Sequence, residues 1–292
     1  MSAAEQRPAS VAAADVYCNA LLRHYENFTV ASRLSPRTLR RDLARVYAFC
    51  RTTDDIGDET GDPERATERL LRWREDVVAM FDDNVPPEHP VLLALNETVV
   101  RHRMPRQPFL DLIAANLQDQ HVTGYEDWPA LHAYCSLSAA PVGRMVLRVN
   151  GYGDTRRTEL SDAVCIGLQL ANFAQDVGVD AGKGRCYLLQ TDVRAGGTTA
   201  AVRALCDRAR QLLDRGRALE ASVGPRLRVQ LALYRLGGNA ILDAIARAGY
   251  RTESIRPAVS TRDRGRIAST ALLTALQRRP AASLARETVR GG

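Results

Sequence analysis

The sequence predicts an all-α fold, and three observations support this prediction. Proline and glycine residues divide the chain into segments of helical length. Alternating polar and apolar runs bounded by hairpin signals, which are typical of strands, are absent from it. The chain has 292 residues, of which 45% are hydrophobic and 25% charged, so it can bury a large core without disulfides. We therefore predict one all-α domain over 14–279, between a flexible arm at 1–13 and a flexible tail at 280–292.

Turn signals bound the predicted helices in order along the chain. Pro36 begins a helix that ends at Gly61-Asp62-Pro63, and Asn84-Val85-Pro86-Pro87 ends the next one. Pro141-Val142-Gly143 predicts a kink or break inside a long helical segment. The helical segments are predicted at about 14–26, 36–59, 64–82, 88–103, 108–120, 128–149, 158–177, 199–221 and 226–248.

The composition disfavours several classes of protein. The net charge is +6, but the basic residues are scattered and only 5% of residues are aromatic, which argues against nucleic-acid binding. No apolar run of 18 residues occurs, which disfavours a transmembrane helix, and the first residues lack the pattern of a secretory signal. The 6 cysteines and 5 histidines have no metal-site spacing, so we expect buried reduced thiols and no zinc. The expected location is cytoplasmic.

Two aspartate pairs are the most unusual feature of the sequence. Asp54 and Asp58 form one D-x-x-x-D pattern, and Asp176 and Asp180 form another. A spacing of four places both carboxylates of a pair on one helical face, where they repel each other. Each pair continues a stripe predicted to face inward, lies near the C-terminal end of a predicted helix and encloses a glycine. All of these features oppose helix stability, so we infer that the aspartates serve a function.

A divalent cation resolves this conflict. Mg²⁺ prefers oxygen ligands and binds through one or two carboxylates together with substrate phosphates. We therefore predict that the two pairs face each other across an apolar chamber and that all four aspartates are metal ligands and catalytic residues, which hold Mg²⁺ ions against a diphosphate as its C–O bond breaks. The alternative, that both pairs are solvated acidic helix ends, stays open.

Basic and amide residues near the aspartates fit a diphosphate site. Arg51 lies three residues before Asp54, and Lys183 and Arg185 follow the second pair in a glycine-containing stretch. Gln169 and Asn172 place amides on the stripe of the second pair, where either a ligand or the backbone is a suitable partner. For the three basic residues, an ordinary surface position is the alternative.

These segments resemble the motifs of the squalene/phytoene synthase family, whose members join prenyl units head to head. The stretch Tyr47-Ala48-Phe49-Cys50-Arg51 with the first aspartate pair is similar to the first motif of the family. The stretch 169–180, followed by Gly184-Arg185-Cys186-Tyr187-Leu188, is similar to the second. Tyr134-Cys135-Ser136 with Val142-Gly143 resembles the middle motif. The resemblance covers about residues 15–270 and implies an isoprenoid synthase helical bundle with a central apolar cavity.

The resemblance also implies roles for individual residues. It implies Mg²⁺ on the four aspartates and diphosphate contacts from Arg51, Lys183 and Arg185. Tyr47, Tyr134 and Tyr250 are expected to line the cavity, where their rings stabilise positive charge or their hydroxyls place a water; core packing is the alternative for each. The remaining candidates are Asn172 as a catalytic residue and Gln169 and Tyr187 as substrate-binding residues.

Within the family, three segments resemble the bacterial hydroxysqualene synthase branch of hopanoid biosynthesis. They lie at 24–32, 138–144 and 249–260. This implies that presqualene diphosphate is ionised, that water captures the rearranged cation and that no NADPH is needed. Gln175 fits this branch, since many phytoene and dehydrosqualene synthases have arginine just before the first aspartate of the second motif.

Several alternatives stay open from the sequence. Presqualene diphosphate, squalene and phytoene synthases share the same motifs. A non-catalytic relative would be expected to lose motif aspartates, and a DNA-binding protein would not explain inward carboxylates. Because the product is very apolar, we also expect a peripheral contact with the inner face of a membrane.

Overall fold

The computed structural model describes residues 10–22, 36–58, 61–82 and 86–276, and the chain divides into two compact units. The first unit comprises the described residues up to Thr123 together with Ala133–Gly151. The second comprises Gly124–His132 and the described residues from Tyr152 onward. Within these ranges the secondary structure is helical and no named strand occurs; the one isolated β-bridge joins Gly124 to Cys186.

Each unit is built from helices joined by short loops. The helices of the first unit are α1 (Val11–Leu22), α2 (Arg37–Asp58), α3 (Pro63–Asp82), α4 (Pro90–His102), α5 (Gln107–Gln118) and α7 (Ala140–Val149). The helices of the second unit are α8 (Thr155–Gln175), α9 (Val177–Gly182), α10 (Gln190–Asp214), α11 (Gly216–Ser222), α12 (Pro225–Arg247) and α13 (Thr261–Leu276). Between α5 and α7, helix α6 (Trp128–Ser138) crosses the division of the units.

Helix α2 buries its apolar face in the core of the first unit. The fully buried Phe49 ring stacks on Trp73 of α3, with 5.8 Å between ring centroids, and meets the edge of Phe109 of α5 at 5.1 Å. Trp73 Nε1 donates a hydrogen bond to Thr53 Oγ1 at 3.0 Å. Aromatic packing and a satisfied buried donor fix the orientation of α2 at Thr53, directly before Asp54.

Helix α8 packs closely on α10 in the second unit. A Cβ atom on Gly167 would lie 3.0 Å from Leu213 Cγ and 3.1 Å from the Ala209 carbonyl oxygen, so the absence of a side chain permits this approach. Near the other end of α8, the Phe173 ring stacks on Tyr187 with 3.7 Å between centroids. This packing fixes the position of the C-terminal end of α8, directly before the second aspartate pair.

Helix α12 ends in a Schellman motif. Gly249 has a φ of +65°, its N–H donates to the Ala246 carbonyl at 3.0 Å, and the Tyr250 N–H donates to the Ile245 carbonyl at 3.0 Å. Glycine suits this left-handed position because it has no Cβ. The chain then turns into the segment 250–257, which approaches the second aspartate pair.

The all-α prediction is confirmed, and several predicted boundaries are wrong. Helix α1 begins at Val11, inside the arm predicted to be flexible. The break in the segment 128–149 falls at Ala139, because Pro141 occupies the first turn of α7, where its missing N–H removes no helical hydrogen bond. The predicted helix 158–177 ends at Gln175, and the predicted helix 199–221 is two helices, α10 and α11. Helix α13 was not predicted, because the Arg-rich sequence of its first turns lacks a clear apolar stripe.

Some predictions fall outside the described residues. These are the ends of the predicted helices at 23–26 and 59, the arm at 1–9, the segment 24–32 and the tail 280–292. The domain bounds of 14–279 stay a prediction. Among the described helices, none has the length and apolar character needed to cross a membrane.

Candidate active site

The first aspartate pair lies in the last turns of α2. Asp54 and Asp58 are both exposed to solvent, whereas the neighbouring Thr53 and Gly57 are buried. The pKa of Asp54 is nevertheless raised to about 6, mainly by desolvation and further by the negative charge of Asp58. A carboxylate that water reaches but that protein surrounds on several sides lies on a recessed surface. That the pair faces inward stays a prediction, and its accessibility to solvent suits a group that must receive a ligand.

A buried amide from α5 supports Asp54. Asn116 Nδ2 donates to Asp54 Oδ1 at 3.3 Å and to the Leu112 carbonyl at 3.1 Å. This donor opposes the rise in the pKa of Asp54 because it favours the ionised carboxylate. A Cβ on Gly57 would lie 2.8 Å from Asn116 Oδ1, so glycine at this position lets the amide approach α2. The glycine that opposes helix stability in the sequence thus has a structural reason.

Arg51 pairs with a carboxylate beside the predicted metal ligands. Its Nη2 lies 2.5 Å from Asp55 Oδ1 across one helical turn. Its positive charge also lowers the pKa of Asp54, which places it within electrostatic range of the first pair. Tyr47 lies one turn earlier on α2 and is partly buried.

The second aspartate pair lies at a helix break. Asp176 caps the end of α8 with φ −103° and ψ 18°, and Asp180 lies in the short helix α9. The Asp180 N–H still donates to the Asp176 carbonyl at 2.8 Å, so the pair keeps helical spacing across the break. Both side chains are partly buried. The sequence prediction placed the pair near the end of one helix, but the structure divides it between two.

Lys183 and Arg185 lie within electrostatic range of Asp180. The pKa of Asp180 is raised to about 6, first by desolvation and then by Asp176, whereas Lys183 and Arg185 lower it. The backbone N–H groups of Lys183 and Arg185 both donate to the Asp180 carbonyl at 2.9 Å. This turn holds the two basic residues next to the second pair, as the sequence predicts.

Arg256 is an unpredicted partner of Asp176. Its Nε lies 2.6 Å from Asp176 Oδ1, and its Nη2 lies 3.1 Å from Oδ2, a two-point ion pair. Gln175 Nε2 donates to the Pro257 carbonyl at 2.6 Å, and the Gly178 N–H donates to the Thr252 carbonyl at 3.2 Å. The segment 250–257 therefore lies directly on the second motif.

The predicted tyrosines occupy different environments. Tyr134 is buried and its hydroxyl donates to Asp119 Oδ2 at 2.9 Å. Tyr187 is buried between the rings of Phe173 and Tyr125, and the guanidinium of Arg203 lies 4.7 Å from the centre of the Tyr250 ring. Two other candidates, Gln169 and Asn172, lie on the accessible side of α8, partly buried and exposed respectively. The buried ring and bonded hydroxyl of Tyr134 fit the alternative of core packing, and the predicted substrate contacts of Tyr187 and Tyr250 stay predictions.

The donor chemistry of both pairs fits Mg²⁺. Each pair offers only oxygen atoms, is reached by solvent and contains one carboxylate whose pKa a neighbouring negative charge helps to raise. Among the described residues, no group of three or more His, Cys, Asp or Glu side chains is arranged to hold a metal ion. The described part of the chain thus offers carboxylate pairs and no closed cage, which suits an ion that also takes water and substrate phosphates as ligands.

Comparison with known proteins identifies the family. A family model described as squalene/phytoene synthase matches residues 21–263 of the chain. The chain belongs to the squalene/phytoene synthase family. The all-α isoprenoid synthase fold and an enzymatic activity on prenyl diphosphates are the properties of this family.

Three relatives of this synthase family show different named activities. The chain is 41% identical in sequence to squalene synthase HpnC from Alicyclobacillus acidocaldarius, whose structure it matches with a TM-score of 0.77. The match covers 83% of this chain and 97% of that one. Presqualene diphosphate synthase of Rhodopseudomonas palustris is 33% identical over 60% of this chain and 62% of the relative. Hydroxysqualene synthase of the same bacterium is 36% identical over 53% of this chain and 51% of the relative. The chain thus spans about half to three fifths of the two curated relatives.

The structure brings the predicted site residues of this chain together within each unit. Arg51, Asp54 and Asp58 lie together on α2, and Asp176, Asp180, Lys183 and Arg185 lie together around α9. That the two pairs face each other across a cavity stays a prediction. Sequence reasoning missed Asn116 and Arg256 as partners of the aspartates. The only sequence signal for Arg256 was its place in the segment 249–260 that resembles one branch of the family.

Proposed function

We propose that this chain converts presqualene diphosphate and water to hydroxysqualene and diphosphate. The observation that carries this proposal is the orientation of Gln175, which precedes the second aspartate pair. Its side chain is buried, and its amide donates to the Pro257 carbonyl. No positive charge therefore stands at this position, which favours ionising one diphosphate over condensing two. The relative named hydroxysqualene synthase, at 36% identity, supports the same proposed function.

The residues of each unit suit separate tasks in this reaction. The four aspartates would hold Mg²⁺, which when bound neutralises the charge that develops on the departing diphosphate. Lys183 and Arg185 beside Asp180, and Arg51 beside Asp54, would bind phosphate oxygens. The reaction needs a water as nucleophile and no hydride, so we propose that it requires no nicotinamide cofactor.

Identification of products by mass spectrometry tests this function. The full-length chain is incubated with Mg²⁺ and either presqualene diphosphate or farnesyl diphosphate, each with and without NADPH. We expect hydroxysqualene from presqualene diphosphate in both cofactor conditions. In water enriched in ¹⁸O the hydroxyl group should carry the label, because water is the nucleophile. A chain that leaves presqualene diphosphate unchanged but consumes farnesyl diphosphate contradicts the proposal.

A synthase that condenses two prenyl diphosphates is the second candidate. The relative named presqualene diphosphate synthase, at 33% identity, favours it. The same assay separates the two functions, because condensation yields presqualene diphosphate or phytoene from the corresponding prenyl diphosphates. A non-catalytic role is opposed by the presence of all four motif aspartates.

We also propose that the chain contacts the inner face of a membrane from the cytoplasm. Leu272 and Leu273 of α13 are 56% and 62% exposed, and Arg262 and Arg266 are exposed on the side of α13 away from the buried Ala271. Exposed leucines beside arginines fit an anionic lipid surface.

Flotation with liposomes tests this contact. The wild-type chain should float with vesicles that contain anionic lipid, and a Leu272→Ser, Leu273→Ser variant should float less. Leu71→Ser, which changes an exposed leucine of α3, is the matched control. A wild-type chain that stays wholly in the unbound fraction, or a pair of variants that float equally, would contradict the proposed surface.

A further inference from the structure

The segment from Tyr250 to Pro257, called the clamp segment below, is held on the second aspartate motif by contacts that do not involve the carboxylates. The strongest is the hydrogen bond from Gln175 Nε2 to the Pro257 carbonyl, at 2.6 Å. Gln175 is only 7% exposed, so this amide has little access to water. A buried polar side chain that makes a short bond to a residue 82 positions away is a specific tether.

A glycine permits the second contact of the clamp segment. The Gly178 N–H donates to the Thr252 carbonyl at 3.2 Å. A Cβ at Gly178 would lie 2.4 Å from the Glu253 carbonyl oxygen, which is backbone and cannot rotate away. Gly178 lies between Asp176 and Asp180, so the close approach occurs inside the motif itself. Gln175 and Gly178 together fix both ends of the clamp segment.

The contact between Gln175 and Pro257 holds Arg256 close to Asp176. Arg256 is 60% exposed, and a side chain so exposed gains little from an isolated surface ion pair. It nevertheless binds both Asp176 oxygens, at 2.6 and 3.1 Å, because the neighbouring Pro257 is held by Gln175. The guanidinium thus occupies the carboxylate that the proposed function assigns to Mg²⁺.

We propose that Gln175 is a positioning residue that holds Arg256 on Asp176 in the metal-free protein, so that a metal ion must displace Arg256 to bind there. This inference rests on the proposed metal role of the second aspartate pair. Its physical basis is competition, because the Arg256 guanidinium takes lone pairs of both Asp176 oxygens and its positive charge repels a metal cation at the same carboxylate. Gln175 therefore affects metal affinity through the clamp segment without contacting the metal.

Metal binding to the full-length, metal-free protein tests the competition. Mn²⁺ serves as the probe, and its binding is measured by electron paramagnetic resonance without any isoprenoid substrate. We expect Arg256→Gln and Gln175→Met to tighten Mn²⁺ binding by about 3- to 10-fold, since each removes the competitor or its tether. Arg251→Gln removes an arginine from the same segment and is the matched control, with affinity within about twofold of wild type. Unchanged Mn²⁺ affinity in Arg256→Gln overturns the proposal.

Hydrogen exchange distinguishes the effect of Gln175, which holds the clamp segment, from that of Arg256, which competes with the metal. The peptides that cover 176–182 and 250–257 are followed in the metal-free protein. Gln175→Met should speed exchange at the Gly178 amide by about tenfold or more, because the clamp segment leaves and the bond to Thr252 opens. Arg256→Gln should leave that amide protected, because the tether remains. Equal protection of Gly178 in Gln175→Met and wild type overturns the positioning role.

Failure of the proposed competition can be told apart from failure of the proposed function. Neither readout uses presqualene diphosphate, so a chain that makes a different product can still show the competition. If Gln175→Met does not fold, Arg256→Gln alone decides the competition, since its side chain is mostly exposed. If product analysis confirms hydroxysqualene but neither variant changes Mn²⁺ affinity, the function stands and this inference fails.

Discussion

The two aspartate pairs have the same spacing in sequence but different support in the structure. Asp54 and Asp58 lie in one continuous helix, and Asp54 receives a neutral amide donor, Asn116. Asp176 and Asp180 lie on either side of a helix break, and Asp176 is bound by the charged guanidinium of Arg256.

This difference shows that carboxylates of the same motif can be stabilised in two ways, one that keeps their charge and one that offsets it. An amide donor stabilises a carboxylate without cancelling its charge, so the first pair remains attractive to a cation. A guanidinium offsets the charge of Asp176 and contacts both of its oxygens, so under the proposed competition the second pair releases Arg256 when a metal binds. We therefore expect the two pairs to respond differently to mutation, although both bind metal in the proposed function.

Loss of a motif carboxylate has the largest expected effect. Asp54→Asn and Asp180→Asn should each lower the rate of product formation by on the order of 10²–10³-fold, because the diphosphate loses metal-borne charge stabilisation. Product formation is measured by mass spectrometry under saturating substrate. Asp82→Asn, at a surface carboxylate paired with Arg106, is the matched control and should keep full activity. Full activity in both motif variants would show that the pairs are only solvated helix ends.

The glycines inside the two motifs should respond differently to alanine. Gly178→Ala places a Cβ against the backbone carbonyl of Glu253, so the free energy of unfolding should fall by about 1–3 kcal/mol. Gly57→Ala meets the ends of the Asn116 and Gln120 side chains, which can shift, and gains helix propensity, so its stability should change by less than about 1 kcal/mol.

Denaturation with urea measures both changes. Gly237→Ala, a glycine of α12 with open space around its Cβ position, is the control and should be neutral or stabilised by up to about 1 kcal/mol. If Gly57→Ala loses more stability than Gly178→Ala, the described approach of the clamp segment is wrong.

The raised pKa values predict a pH dependence in both pairs. Asp54 and Asp180 have a pKa of about 6 in the folded protein against 3.8 as the ordinary value. The folded state therefore binds protons more tightly than the unfolded state, and this contribution to stability is present below pH 3.8 and is lost as the pH rises through about 6. Metal binding needs ionised carboxylates, so its stabilising effect should grow over the same range.

Thermal unfolding with and without Mg²⁺ between pH 5 and about 7.5 measures this dependence. The increase in melting temperature caused by Mg²⁺ should be small at the lower pH and reach a plateau above the pKa. Asp54→Asn should remove the part of this Mg²⁺-induced increase in melting temperature that depends on the first pair. A Mg²⁺ effect that is constant over the whole range contradicts the assignment of these carboxylates as ligands.

The ion pair beside the first aspartates has the smallest expected effect. Arg51 and Asp55 are partly exposed, so Asp55→Asn should lower the free energy of unfolding by less than about 0.5 kcal/mol. Denaturation with urea again provides the measurement. A loss above about 1 kcal/mol would indicate that Asp55 has a structural role in this helix that the Arg51 contact does not explain.

The sequence predicted features that depend on residues close together in the chain. Apolar periodicity and proline positions predicted most of the helices of both units, and the spacing of Asp54 and Asp58 predicted adjacent carboxylates. Local rules failed where tertiary contacts decide. The predicted break near Pro141 is present, but α13 was missed because its Arg-rich first turns lack a clear apolar stripe, although its Ala271 lies in a buried cluster with Val229 and Ala232 of α12.

The sequence by itself determined the helical class, the four carboxylates and their spacing, and the motifs of a prenyl diphosphate synthase family. Only the tertiary structure decided which groups bind those carboxylates. Asn116 lies 62 positions from Asp54, and Arg256 lies 80 positions from Asp176. Helical periodicity relates residues three or four apart, so it carries no information about partners at such separations. Those contacts depend on helix packing and on the closeness that Gly57 and Gly178 allow.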